Sequence, residues 1–216
     1  MLLLLDDGVE FETVYADHGA DWPETRDYVA MLKEKGYPIT SLQTRESGLP
    51  LYDFYLRYKR IPARFLRACT SIFKVRPLAR YMIAPCVVYL GIDAGEAQRA
   101  TQGRREGETR LYPLVEWGLD RSDCVKVIRE HNLPVPIKSG CFVCPFQRRA
   151  QWRELLTKHP DLFRRARILE DATNERLRAK GGEPMYLAGI PLGVAAQEGQ
   201  LDLFGERPVE VCLCEF

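Results

Sequence analysis

No aspartate or glutamate occurs between Phe54 and Ile92. The same stretch carries Arg57, Lys59, Arg60, Arg64, Arg67, Lys74, Arg76 and Arg80. The 216-residue chain has a net charge of only +1, and the region before Phe54 is rich in acids, so the imbalance is local. An acid-free basic block in a balanced chain predicts a surface for an anionic partner: a nucleotide phosphate, a sulfate or a nucleic-acid backbone. The alternative is a solvated helical face whose acidic partners lie elsewhere in the fold.

Long apolar runs are also missing. The run from Met1 to Leu5 has no basic start and meets Asp6 and Asp7 at once, so it is too short for a secretory leader or a membrane span. The expectation is a cytoplasmic protein with no membrane partner. Histidine is scarce, with only His18, His131 and His159, and no Ser/His/Asp arrangement suggests itself. His18 falls in a loop at a strand end, where it can meet a ligand. His131 and His159 fall near helix ends, where a cation favours the helix dipole. Seven cysteines, an odd number, argue against a disulfide framework and for a reducing compartment.

What is present begins with enough apolar residues, 46%, to bury one good core. The most informative motif is Ser139-Gly140-Cys141-Phe142-Val143-Cys144-Pro145. A C-x-x-C on a tight loop can clamp a soft metal ion, ligate an iron–sulfur cluster or cycle as a dithiol; two buried apolar cysteines are the bland alternative. Cys69 sits between Arg67 and Lys74, a setting that favours the thiolate. Cys86 falls in an apolar strand and Cys124 on a helix, so both read as packing residues. Trp152 and Phe146 also read as core.

The hydrophobic pattern predicts a strand over Phe11–Ala16, a helix from Pro23 to about Lys35 and a second strand over Tyr37–Leu42. This order needs a crossover, so the two strands are expected to be parallel. Helices are expected around Leu51–Lys59 and Lys74–Met82, then a buried strand over Cys86–Ile92 entered through Pro85. Asp93–Arg110 reads as a polar loop and Tyr112–Val115 as a short extended piece. Asp120 caps a helix running to about His131, and two more helices follow, near Arg148–Lys158 and Asp161–Ala179. The fold class expected is α/β, a mostly parallel sheet flanked by helices, over residues 1–137, with a helical cysteine-bearing C-terminal extension of the same domain over 138–216. Ligands of such sheets sit beyond the carboxyl ends of the strands. Asp17 lies at one such end.

The ordered set of motifs carries a resemblance. Tyr15-Ala16-Asp17-His18-Gly19 is followed by Trp22-Pro23-Glu24-Thr25, by Cys69-Thr70 with Lys74 and Pro77, by Gly91-Ile92 with Glu96 and Arg99, and by the cysteine motif with Phe146. This order resembles the phosphoadenosine-phosphosulfate reductase family of the adenine-nucleotide alpha-hydrolase-like superfamily. That superfamily also holds ATP pyrophosphatases, tRNA-thiolating enzymes and a DNA-phosphorothioation sulfurtransferase. The resemblance implies Asp17 and Glu24 at the nucleotide end of the sheet. It implies Arg67, Thr70 and Lys74 on the substrate side, and Arg99 in an anion-binding loop. Cys141 and Cys144 would ligate a 4Fe-4S cluster or zinc, with Cys69 as third ligand and Cys212 or Cys214 as a fourth. The partners implied are an adenylate or sulfonucleotide, and tRNA or DNA in the thiolating branches; separately, the apolar leucines of Met1–Leu5 and an uncovered strand edge predict a homo-oligomer.

One family element has no counterpart. No Ser-Gly-Gly-Lys-Asp-Ser-like phosphate loop occurs in the chain. Met1–Gly8 reads as the end of the helix that follows such a loop. Backbone N–H groups at a helix N-terminus hold phosphates in such sites. The expectation is therefore weak adenylate turnover by these residues alone, restored by an upstream segment. The reading is adenylate-dependent sulfur chemistry, either sulfonucleotide reduction or sulfur transfer. Its rivals are a nucleic-acid thiolation enzyme and a non-catalytic, metal-stabilised binding module.

Overall fold

In the computed structural model, residues 1–101, 105–137 and 140–197 are described. The chain opens with a short helix, α1 (Leu2–Asp6), then strand β1 (Thr13–Asp17), helix α2 (Pro23–Glu34) and strand β2 (Ile39–Gln43). β1 and β2 pair in parallel, from Thr13 opposite Ile39 to Asp17 opposite Gln43. The crossover expected from the sequence is present. Pro23 sits in the first turn of α2 with Glu24 beside it, where a fixed φ and a negative charge both suit a helix start. Gly36 follows at φ +87°, a left-handed stop that costs glycine nothing.

A second parallel pair joins β3 (Cys86–Tyr89) to β4 (Glu108–Leu111). Among the described residues the fold is thus mixed helix and strand, with two small parallel sheets. Two expectations change here. The Asp93–Arg110 region is not all loop: it holds a 3-10 turn (Ala94–Arg99) and β4, whose polar sequence shows no alternation and which exists by pairing with β3. The expected extended piece over Tyr112–Val115 is instead the start of α6 (Pro113–Glu116), because proline opens a helical first turn. β3 is also less covered than its apolar run suggests, since Val87 is 53% exposed. A continuous apolar strand implies cover on both faces, and Val87 lacks that cover.

Helix α3 (Leu51–Arg57) buries Leu51, Tyr52 and Tyr55. The next helical run begins at Ala68, earlier than Lys74. It passes from α4 (Ala68–Thr70) through a π-helical turn (Ser71–Val75) into α5 (Arg76–Tyr81). Pro77 supplies the reason: it has no N–H for the carbonyl four residues back and its ring crowds that carbonyl, which a wider turn relieves. Asp120 caps α7 (Arg121–Glu130) in a reciprocal capping box with Asp123. Helices α8 (Arg149–Lys158) and α9 (Pro160–Arg178) pack on each other, and α10 (Leu192–Ala195) packs on α8.

One core joins these parts. Trp152, Leu155, Phe163 and Leu169 from α8 and α9 meet Tyr52, Tyr55, Phe73, Phe142 and Val143. The cysteine loop is therefore built into the same core as α3. Glu170 of α9 ties the following segment down: its Oε2 accepts the Leu187 N–H and its Oε1 the Leu192 N–H, each at 2.9 Å. An apolar cavity of about 290 Å³ opens elsewhere, between α1, α2, the end of β3 and α7, with Leu4, Leu32, Trp117 and Cys124 among its walls.

Candidate functional site

At the carboxyl end of β1 the chain turns sharply. Asp17 Oδ1 accepts the Gly19 N–H at 2.9 Å, and Gly19 takes φ +74°. A side chain there would be strained and would also meet Pro50 at 3.1 Å. His18 folds inward and is buried. Its Nδ1 accepts the Ala20 N–H at 3.2 Å, so Nε2 carries the proton and faces Asp21 Oδ1 at 3.2 Å. The Tyr15 hydroxyl donates to Asp21 Oδ2. Burial pushes the Asp21 carboxyl up, but the His18 hydrogen bond, the Tyr15 hydroxyl and the nearby Lys74 ammonium outweigh it and hold the group below its ordinary value. Burial first, then the Asp21 charge, pushes the Tyr15 phenol far up. Tyr15, His18 and Asp21 therefore form a closed network with both imidazole nitrogens engaged. His18 positions the loop.

That loop holds the cysteines. Asp21 and Cys141 form an antiparallel bridge: Phe142 N–H donates to Ala20 O at 2.9 Å and Trp22 N–H to Gly140 O at 3.2 Å. Phe142 and Val143, between the two cysteines, are fully buried and peg the loop to the core, while Cys141 and Cys144 are half-buried. A Cys144 N–H to Cys141 O bond of 3.0 Å closes the turn. Arg165 of α9 lies over Tyr52 at 4.1 Å and over Phe142 at 5.1 Å, bracing the loop from beneath.

The acid-free segment reaches the same place. Arg64 Nε donates to Pro145 O at 2.7 Å, and the guanidinium groups of Arg64 and Arg67 lie 5.6 and 5.9 Å from the Phe146 ring centre. Phe146 is thus a seat for cations rather than a core residue. Cys69 packs half-buried at the core edge, with Thr70 next to it on α4. Burial first, then the neighbouring Cys69 and Cys141 thiols, pushes the Tyr55 phenol well up. Cys69, Cys141, Cys144, Arg64, Arg67 and Lys74 therefore gather around the strand-end loop of Asp17 and Asp21.

Other expected site residues lie elsewhere. Glu24 is engaged by His159 at the junction of α8 and α9, with Nε2 2.9 and 3.0 Å from its two oxygens. Burial raises the Glu24 carboxyl, but His159, the Glu24 backbone N–H and the Lys158 charge together more than offset it. Arg99 pairs with Glu96 on a 3-10 turn that packs on α6. Cys86 stays in β3, and burial pushes up the thiol of Cys124, which faces the apolar cavity. Cys212 and Cys214 lie outside the described residues.

Among the described residues, no group of three or more His, Cys, Asp or Glu side chains is placed to hold a metal ion. A closed tetrahedral site or a thiolate-ligated cluster takes four ligands. Of the five cysteines expected as ligands, Cys69, Cys141 and Cys144 fall among the described residues, fewer than such a group takes.

Sequence reasoning missed five contributors, first among them Asp21, which lies in the loop after β1 where the strand-end rule points. Tyr15 shares a strand face with Asp17, two residues on, and that alternation was a usable signal. Arg45 follows β2 and donates to Thr44 O at 2.8 Å, with Asp17 O at 3.5 Å; the strand-end rule applied to β2 would have found it. Tyr55 and Arg165 reach the site only through tertiary packing.

Comparison with known proteins adds little to this geometry. No family model matches the chain, and no solved structure matches it. An uncharacterized protein of Methanocaldococcus jannaschii is 24% identical over 169 residues, covering 71% of this chain and 40% of that relative. The chain thus spans well under half of the curated relative it matches. No helix among the described residues is long and apolar enough to cross a membrane.

Proposed function

We propose that this chain carries the thiol-and-cation side of a site for adenylate-dependent sulfur chemistry, either sulfonucleotide reduction or sulfur transfer. The observation that carries the reading is the backbone bridge from Asp21 to Cys141, which seats the C-x-x-C loop at the carboxyl end of a parallel strand. Cations of the acid-free segment stand beside the loop that carries those thiols, where they would offset the charge of a phosphate or sulfate.

The chemistry balances with two thiols. A thiolate attacks the sulfuryl sulfur of a sulfonucleotide. The sulfur–oxygen bond breaks, its electron pair leaves with the adenylate phosphate, and an S-sulfocysteine forms. A second thiolate attacks the cysteine sulfur, sulfite departs with the bonding pair, and a disulfide remains. Cys69, Cys141 and Cys144 are the candidates for these two roles.

Incubation with adenylyl sulfate, followed by intact-mass analysis and sulfite assay, tests this. The expected result in the parent chain is an S-sulfonated cysteine or, after the second attack, sulfite and a disulfide, all of them lost when Cys69, Cys141 and Cys144 are serine together. A parent chain that neither binds adenylyl sulfate by calorimetry nor forms the adduct would overturn the reading. So would an adduct unchanged by serine at Cys69, Cys141 and Cys144 together.

A further inference from the structure

The connection from α3 to α4 carries an exposed aromatic and aliphatic tip among arginines. The turn around Phe65 is closed by Arg67 N–H to Ala63 O at 3.2 Å. Its base is fixed inward, because Arg64 binds Pro145 O and both Arg64 and Arg67 lie over Phe146. The residues between them are thrown outward: Phe65 is 78% exposed and Leu66 is 67% exposed. On the same connection Tyr58 is 47% exposed, with its inner side against Phe54 at 4.8 Å between ring centres. Arg57, Lys59 and Arg60 are exposed around it, and Lys59 pairs with Glu175 at 2.9 Å.

Exposed apolar side chains scattered singly are ordinary, whereas adjacent ones such as Phe65 and Leu66, rimmed by polar residues, are the kind of patch that marks a contact surface. The charge around this one chooses the occupant. Phe65, Leu66 and Tyr58 are interleaved with Arg57, Arg60 and Arg64, and no acid occurs from Phe54 to Ile92. Flat π faces set among guanidinium groups suit unstacked bases on a phosphate backbone. A duplex hides its base faces and would leave Phe65 without a partner. The tip also adjoins the chemistry, since Arg64 belongs both to this connection and to the Pro145 contact of the cysteine loop.

We propose that the α3–α4 connection is a docking surface for single-stranded nucleic acid, with Phe65 and Tyr58 stacking on bases and Arg57 and Arg60 on phosphates. It leads the strand toward the Cys141 loop, to which Arg64 ties it; the docking does not depend on the sulfur chemistry proposed above.

Fluorescence anisotropy with a labelled mixed-sequence single-stranded RNA and DNA 20-mer, against the matching duplex, tests the surface on the full chain. Single strands should bind more tightly than duplex. The log affinity should fall with log salt by about 0.7 per phosphate contacted. Phe65→Ala should weaken binding about tenfold or more while Phe65→Trp retains it, as stacking requires. Arg57→Ala with Arg60→Ala should flatten the salt slope. An exposed position such as Phe65 leaves the thermal melt unchanged, which separates lost contact from lost fold. No binding in low salt, preference for duplex, or an affinity indifferent to Phe65→Ala would each overturn the proposal. Two further results would do so in favour of another occupant. One is Phe65-dependent binding to phosphatidylserine vesicles without Phe65-dependent nucleic-acid binding; the other is a dimer in light scattering that Phe65→Ala dissociates. Cys141→Ser should leave strand binding intact, so failure of the sulfur chemistry and failure of the docking surface read out separately.

Discussion

His18 Nε2 stands 3.2 Å from Asp21 Oδ1, and both side chains are buried. Nδ1 already accepts the Ala20 N–H, so it is Nε2–H that donates to Asp21. His18→Ala removes a donor from a buried carboxylate and should cost about 2–3 kcal/mol in denaturant unfolding. It should also loosen the Asp21–Cys141 bridge, read as faster alkylation of Cys141.

Acid should act through the same carboxylate. The Asp21 group is held below its ordinary value in the folded chain. Its contribution to stability is therefore present above the unfolded value of about 3.9 and is lost as pH falls through the folded value. Asp21→Asn should flatten the acid limb of the unfolding midpoint against pH. An acid limb of unchanged steepness would count against this assignment.

Glu170 should show the opposite sign. Burial raises its carboxyl, only partly offset by the N–H groups of Leu192 and Leu187. Its favourable contribution is present below the unfolded value and is lost as pH rises through the folded one. Glu170→Ala orphans two backbone donors, at about 1–3 kcal/mol each. Hydrogen exchange at Leu187 and Leu192 should speed up together, and Glu170→Gln, which keeps one acceptor, should have the smaller effect.

Arg64→Ala should loosen the cysteine loop from the opposite side. It removes the 2.7 Å bond to Pro145 O and one of the two cations over Phe146. The stability loss should be about 1 kcal/mol. The clearer readout is a rise in the iodoacetamide reactivity of Cys141 and Cys144 with the thermal midpoint little changed.

Local signals made much of the fold legible. Pro23 and Gly36 bracketed α2, Asp120 announced α7, and the strand–helix–strand order gave the parallel pair of β1 and β2. What stayed hidden was non-local. β4 reads Glu-Thr-Arg-Leu and is a strand because β3 lies beside it. The π turn follows from Pro77 meeting a helix already under way at Ala68, which periodicity alone does not reveal. At the site, Lys74 lies near Asp21, and Cys69 and Cys141 both lie near Tyr55, neighbours that only the tertiary fold supplies. The engagement of Glu24 by His159 does not follow from the motif order, because those residues are 135 positions apart.

The π-helical turn has a consequence for chain length. Ser71–Val75 lies between Cys69 and Pro77, puts Phe73 fully in the core and carries Lys74 near Asp21. An ordinary helix advances about 100° per residue, so deleting one residue there would restore regular winding and swing everything before it by roughly that angle about the axis. Cys69 and Lys74 would then no longer address the same loop, although every residue needed for chemistry would still be present. This segment should accept changes of side chain far more readily than a change of count.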